Sequence, residues 1–176
     1  LNNGVEIEIS SQNISRENFT WDTSLNLTFQ KSIVKSLPND NADISYGDGG
    51  MYIHRVGESM YSFYLPVWKG VDPETGLGEF WIDPEDTSKG VTNWYTEVGS
   101  TIVGKAIPDV TGGITNTFTF LQGALDLSVL ITFQSGGSLF DYPGYFTHSD
   151  GFRAATMNSS ADAADYWTPD HRDAEF

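Results

Sequence analysis

Two neighbouring segments of the chain, between Val110 and Gly137, alternate apolar and polar side chains. The second segment sets Leu125, Leu127, Val129, Ile131 and Phe133 against Asp126, Ser128, Thr132 and Gln134, with Leu130 as the exception. The first sets Ile114, Phe118 and Phe120 against Thr115, Thr117 and Thr119. Period-two alternation is typical of antiparallel strands with two unlike faces. We therefore predict a hairpin over residues 108–137, in which Ile114–Phe120 pairs with Leu125–Phe133 around the break Gln122–Gly123.

A second hairpin is predicted over residues 4–37. Val5, Ile7 and Ile9 alternate with polar residues, and Phe19–Phe29 is the longest clean alternation in the chain. We expect these two strands to pair antiparallel around a polar turn, Ser11–Asn18. Phe19 and Trp21, at one end of the longer strand, would suit an aromatic girdle at a membrane interface.

Two long segments, residues 38–107 and 138–176, lack this regularity and are predicted to be long outer loops. Both are rich in Gly, Pro, Asp and aromatic residues. Short strands are predicted at Met51–Arg55, Ser62–Trp68 and Glu79–Ile82. A short helix is predicted at Ser159–Tyr166, capped by Ser159 or Ser160.

The alternation fits two architectures. In a soluble β-sandwich the apolar faces of both hairpins meet in one closed core, whereas in a transmembrane β-barrel they face lipid. Short turns that alternate with long loops are typical of outer-membrane barrels and favour the second architecture. Six side chains distinguish the two possibilities: Leu25, Leu27, Phe29, Leu127, Val129 and Ile131.

Composition narrows the possible functions. The chain has 9 Lys+Arg against 24 Asp+Glu, a formal charge of -15, which argues against nucleic acid and anionic membrane surfaces as partners. There is no cysteine, so disulfides and thiolate chemistry are excluded. No signal peptide and no run of apolar residues long enough for a membrane-spanning helix is visible.

The sequence gives little indication of catalysis. His54, His148 and His171 are scattered without metal-ligand spacing, and no GxSxG motif is present. Paired carboxylates are expected by chance in so acidic a chain, which leaves an extracellular hydrolase as the weakest hypothesis. We expect no enzymatic activity, no cofactor and no metal site.

Several segments together resemble the SusC/RagA family of TonB-dependent outer-membrane transporters of Bacteroidetes. In chain order they are NNGVEIEIS, FTWDTSLNLTFQKSIVKSL, VWKGVDPETGLGEFW, VGKAIPDVTGGITNTFTF with ALDLSVLITFQSGG, and DYWTPDHRDAEF. Each stretch alone is a weak pattern, but their order and spacing make the resemblance specific.

The resemblance implies a mainly β fold, in which antiparallel hairpins with long loops form part of a 22-stranded transmembrane β-barrel. The chain would be a stretch from the C-terminal part of that barrel, unable to close alone. The implied location is the outer membrane of a Gram-negative cell. The implied partners are a SusD-like surface lipoprotein, the TonB complex through an N-terminal part outside these residues, outer-membrane lipid, and an oligosaccharide or peptide substrate. The alternative is a soluble β-sandwich module that binds carbohydrate.

Aromatic residues in the long loops are the predicted substrate contacts, because flat rings stack on sugar faces. The candidates are Trp68, Trp81, Trp94, Tyr95 and Trp167. Alternatively, these rings pack the loops together or against a lid protein.

Overall fold

The computed structural model describes residues 1–148 and 155–174, and β-strands dominate it. The described strands are β1 (Asn2–Arg16), β2 (Phe19–Ser32), β3 (Ile44–Tyr46), β4 (Tyr52–His54), β5 (Ser62–Pro66), β6 (Trp68–Val71), β7 (Gly78–Trp81), β8 (Val91–Thr92), β9 (Ser100–Lys105), β10 (Val110–Phe120) and β11 (Leu125–Ser135). A short α-helix spans Tyr142–Thr147. Pro38–Asn41 is a left-handed turn, because Asn39, Asp40 and Asn41 all have positive φ. No helix among residues 1–148 and 155–174 is long and apolar enough to cross a membrane.

The strands form three open sheets, with the orders β1-β2-β10-β11, β3-β4-β5-β9 and β6-β7-β8. The first sheet is antiparallel throughout, as is the third. The predicted fold class is therefore confirmed: the chain is mainly β, with antiparallel hairpins and long loops, and its described strands do not close into a barrel.

Both predicted hairpins are present in the first sheet. Val5 lies opposite Phe29 in one, and Ile114 lies opposite Ile131 in the other. The structure adds a third pairing, since β2 and β10 run antiparallel over eleven positions from Phe19–Phe120 to Phe29–Val110. This pairing joins two hairpins that residues 33–109 separate in the chain.

The predicted polar turn Ser11–Asn18 is wrong, because β1 continues to Arg16 and only Glu17 and Asn18 form the turn. A β-bulge between Gln12 and Ile14 explains the error. The extra residue shifts the parity of the strand, so Ile14 returns to the face of Ile9 although the two have opposite parity. A strict alternation of apolar and polar residues therefore does not predict that the strand continues after Ile9.

The long loops contain more structure than the sequence predicted. The three predicted short strands correspond to β4, to β5 with β6, and to β7, whereas β3, β8, β9 and the helix Tyr142–Thr147 were not predicted. The predicted helix Ser159–Tyr166 is only a 3-10 turn, Ala161–Ala164, whose cap is Ser160. The segment 138–176 includes residues 149–154 and 175–176, which lie outside the described part.

The chain divides into two compact units. Unit 1 comprises Leu1–Tyr46, Ile53–Ser62 and Gly104–Ser138, and unit 2 comprises Gly47–Tyr52, Phe63–Val103 and Leu139–Phe176. Among the described residues, the buried hydrophobic side chains are Ile53, Phe63 and Ala174.

Phe29, Leu127, Val129 and Ile131 are exposed, and Leu25 and Leu27 are half-buried. The sandwich alternative is wrong, because these six side chains share one face of one sheet and meet in no closed core.

Within unit 2, the segment around Trp167 packs on the turn Asp72–Gly76. Trp167 Nε1 donates a hydrogen bond to the Pro73 carbonyl at 3.1 Å, and Arg172 Nη1 lies 3.1 Å from Glu74 Oε2. Gly76 leaves space for the indole ring, since a Cβ there would overlap the ring. The turn and the Trp167 segment therefore hold each other in place.

The register of β10 between β2 and β11 can be tested at two adjacent glycines. A Cβ on Gly112 would lie 2.7 Å from both the Asn26 carbonyl oxygen and the Phe133 ring, whereas on Gly113 its nearest neighbours are at 3.5 Å. Gly112→Ala should therefore destabilise the fold by about 1–3 kcal/mol. Gly113→Ala should be neutral, or stabilising by up to about 1 kcal/mol. Urea unfolding of the two variants measures both changes, and equal effects would contradict the register.

The contact between Trp167 and Gly76 gives a second prediction. Gly76 and Gly90 both have positive φ, +72° and +83°, but only Gly76 has an indole where a Cβ would lie. An alanine costs roughly 1–3 kcal/mol of backbone strain at either position. Only Gly76→Ala should also speed amide hydrogen exchange in residues 165–174, measured by mass spectrometry. Unchanged exchange there in Gly76→Ala would show that the indole does not depend on this glycine.

Candidate functional site

The first sheet of unit 1 has two faces of opposite character. Residues directly opposite each other in antiparallel strands share a face, so the register defines rows across the four strands. Five of six consecutive rows on one face are predominantly apolar, and β2 supplies them with Phe19, Trp21, Leu25, Leu27 and Phe29. On β11 the same face carries Leu125, Leu127, Val129, Ile131 and Phe133, all of which are 41–57% exposed.

The height of this face matches a bilayer. Ten residue steps separate Phe19 from Phe29, or about 34 Å along a strand. At the 35–45° tilt that is general for strands of outer-membrane barrels, this length would span roughly 24–28 Å, close to their ~25 Å apolar band. Asn3 and Lys31 pair in the next row beyond Phe29, so the apolar face ends there in polar side chains.

The opposite face is polar. Its rows carry Glu6, Glu8, Asp22, Asn26, Thr28, Thr111, Thr115, Thr117 and Gln134. A shallow cleft of about 300 Å³ lies there, and its lining includes Gln12, Asp22, Ser24, Thr115 and Thr117. This face is suited to contact with water or a polar ligand, and Leu130 is its main apolar exception.

One row of the apolar face is polar in three of its four strands, and its side chains bond to one another. Asn116 Oδ1 accepts hydrogen bonds from Trp21 Nε1 at 3.0 Å and from Thr23 Oγ1 at 2.8 Å. Asn13, the bulged residue, donates to Thr23 Oγ1 at 2.6 Å and accepts from Ser11 Oγ at 3.0 Å. The cluster therefore satisfies many of its own polar atoms on an otherwise apolar surface.

Aromatic pairs mark the end of the apolar face next to the two short turns. Phe19 and Phe120 lie 5.1 Å apart between ring centroids, and Trp21 and Phe118 lie 5.8 Å apart. Each pair joins β2 to β10 across the interface that links the two hairpins. The predicted girdle residues Phe19 and Trp21 thus have aromatic partners on the neighbouring strand.

In unit 2 the structure brings together two of the five predicted aromatic contact residues. Trp68 lies opposite Phe80 with 5.0 Å between ring centroids, and Tyr95 lies 6.3 Å from Phe80 on an edge-to-face contact. We refer to Trp68, Phe80 and Tyr95 as the aromatic strip. Phe80 was not predicted, because only the pairing of β6 with β7 brings its ring beside Trp68. Phe80 and Trp81 are neighbours in the sequence GEFW.

The other predicted residues occupy different places. Trp81 alternates with Phe80 along β7 and so lies on the opposite face of the small sheet. Trp94 precedes Tyr95 and is 70% exposed. The Trp167 indole is engaged with Pro73 and Gly76.

A second aromatic group surrounds the helix Tyr142–Thr147. Tyr142 and Tyr145 stack with 6.4 Å between centroids, and Phe146 contacts both rings edge-on. Phe140 lies 6.2 Å from each tyrosine ring. Phe140 also stacks with Phe63, with 6.3 Å between ring centroids.

The ionisable groups of unit 2 are mostly engaged in local contacts. Lys89 Nζ lies 2.6 Å from Asp83 Oδ2, and this hydrogen bond lowers the pKa of Asp83 and raises the pKa of Lys89. The Thr75 hydroxyl donates to Asp72 and lowers the pKa of that carboxyl. The part of the chain that the structure describes contains no group of three or more His, Asp or Glu side chains arranged to hold a metal ion.

Comparison with known proteins identifies relatives of one kind. The chain is 26% identical to TonB-dependent receptor P3 of Formosa agariphila over 96% of its own length, and 25% identical to TonB-dependent receptor P26 of the same organism over 97%. It spans 18% of the length of each of these two relatives. No protein-family model matches the chain.

Solved structures share the fold. The RagAB peptide transporter superposes with a TM-score of 0.82 and 19% identity, covering 99% of this chain and 19% of that one. The RagAB peptide importer in its open-open state gives the same values. The resemblance to the SusC/RagA family of TonB-dependent transporters is therefore confirmed: almost the whole of this chain is similar to one segment of such proteins.

Proposed function

We propose that this chain forms part of the wall and outer loops of an outer-membrane TonB-dependent importer. The importer takes up oligosaccharides or peptides together with a SusD-like lipoprotein. The observation that carries the proposal is the two-faced sheet of unit 1, whose apolar face is about as tall as a bilayer and is left uncovered in unit 1.

The edges of this sheet support a place within a larger wall. β1 and β11 lie at the two edges, and almost every residue of both is exposed. Unpaired backbone groups within lipid cost several kcal/mol each, so strands cross membranes only in closed barrels. In a longer protein, strands outside these residues would pair with both edges. The relative P3 has ample further length for such strands, because this chain spans only 18% of it.

The connections give the wall an orientation. Glu17–Asn18 and Leu121–Ala124 are short turns at one end of the sheet, and residues 33–109 connect β2 to β10 at the other. Outer-membrane barrels have short turns on the periplasmic side and long loops outside. The long connection 33–109 would therefore face the outside of the cell, where substrate arrives and a surface lipoprotein can dock.

The energy for import would be supplied through a part of the protein outside this chain. The TonB complex would engage the N-terminal part of the full-length protein, in agreement with the names of the relatives, which are TonB-dependent receptors. The polar face of the sheet would line the barrel interior, where hydroxyl and amide side chains tolerate water.

Adjacent residues on β11 test the facing of the wall. Ile131 lies in a central row of the apolar face and Thr132 on the polar face. In the full-length protein, Ile131→Arg should cost roughly 2–4 kcal/mol, because the arginine enters lipid near the midplane. Thr132→Arg should cost less than about 1 kcal/mol, because its side chain faces the polar interior of the barrel instead of lipid.

Urea unfolding of both variants in lipid vesicles provides the measurement, and growth on the imported nutrient provides a second readout. Equal costs at the two positions would contradict the barrel wall. A larger cost at Thr132 would show that the polar face, and not the apolar face, meets lipid.

A further inference from the structure

We propose that the aromatic strip of Trp68, Phe80 and Tyr95 is a stacking platform for an uncharged oligosaccharide. The inference rests on the proposed import function and names its substrate class. Trp68 is 44% and Tyr95 74% exposed, so both rings present area to solvent, with the half-buried Phe80 between them. Such rings bind pyranose faces through apolar contact while the sugar hydroxyls remain free to hydrogen-bond.

The rings are held in place before any ligand arrives. The outer edge of the Trp68 indole lies over Gly78, where a Cβ would come within 2.6 Å of the ring. On the other side, the buried Thr92 fixes the turn that carries Tyr95. Its Oγ1 accepts from Trp94 N at 3.1 Å and donates to Glu97 Oε2 at 2.9 Å. Rings ordered in advance lose little entropy on binding.

Charge decides which sugars the platform accepts. The described residues of unit 2 include thirteen Asp and Glu but only three Lys and Arg. Each of the three cations already pairs with a carboxylate: Lys69 with Glu79, Lys89 with Asp83, and Arg172 with Glu74. Among these described residues, a sulfated or uronate-rich chain would meet net repulsion and no free cation, whereas a neutral sugar would meet no such repulsion.

The size of the strip favours a small ligand over a protein partner. Fully buried aromatic side chains cover about 150–250 Å² each. Because the rings of this strip are only partly exposed, they present at most a few hundred Å² of surface to a ligand. A stable protein interface buries about 800 Å² per partner, so the strip alone is too small to hold a lid protein.

The test uses the full-length receptor, purified in detergent with its lipoprotein partner. Isothermal titration is performed with neutral hexasaccharides (cellohexaose, xylohexaose, mannohexaose and laminarihexaose), with hexagalacturonate, and with a tryptic peptide mixture. At least one neutral hexasaccharide should bind, and hexagalacturonate should not. Trp68→Ala and Tyr95→Ala should each weaken binding by about 10–100-fold, in the range of aromatic anchors. Trp68→Phe should lose less than about tenfold.

Two further variants separate ring stacking from folding. Gly78→Val keeps the Trp68 ring but displaces it, and should weaken binding as Trp68→Ala does. Tyr166→Ala removes a ring of unit 2 that is 55% exposed and lies outside the strip, so it should leave binding unchanged. Retention of the lipoprotein partner shows that each variant is folded.

Wild-type affinity in Trp68→Ala and Tyr95→Ala would overturn the platform, as would binding of peptides or hexagalacturonate with no neutral sugar bound. In those cases the proposed function still stands if the receptor is in the outer membrane and TonB-dependent uptake of another nutrient persists. Failure of the receptor to enter the outer membrane would instead defeat the proposed function itself.

Discussion

The pairing of β2 with β10 is the interaction on which the rest of unit 1 depends. In lipid, each backbone N–H and C=O must find a partner within the protein, since no water is available. β2 meets this requirement on both sides, against β1 and β10, and β10 meets it against β2 and β11. The pairing also aligns the apolar rows of two hairpins into one continuous face. Without it the chain would contain two separate two-stranded ribbons, which are marginal in water and have exposed edges in lipid.

The polar cluster shows how one row can break the apolar pattern at limited cost. An amide left unpaired in hydrocarbon costs several kcal/mol, yet Asn116 Oδ1 accepts two hydrogen bonds, one of them from the Trp21 indole. That indole N–H points toward the cluster and away from the short turns. The β1 bulge contributes Asn13 to the same network. Backbone irregularity and side-chain bonding therefore compensate each other within this sheet.

Much of the fold could be predicted from local patterns in the sequence. Alternation along Phe19–Phe29 and Leu125–Phe133 predicted both hairpins, because the period of a strand can be read within a few residues. Contacts between distant segments could not be read in this way. The β2–β10 pairing spans the long connection 33–109, and the bulge at Asn13 changes the parity of β1. The same limit separates the aromatic residues: the sequence identified Trp68 and Trp81 alike, but only the register places them on opposite faces and brings in Phe80.

The central claim, that one face of this sheet meets lipid, can be measured directly by a nitroxide scan of β11. These 176 residues contain no cysteine, so single cysteines at positions 125–133 can be labelled once any cysteine elsewhere in the full-length protein is replaced. In reconstituted bilayers, labels at 125, 127, 129, 131 and 133 should be accessible to oxygen, which concentrates in lipid. Labels at 126, 128, 130 and 132 should instead be accessible to a water-soluble nickel chelate. Accessibility that does not alternate, or that alternates with the opposite phase, would contradict the account.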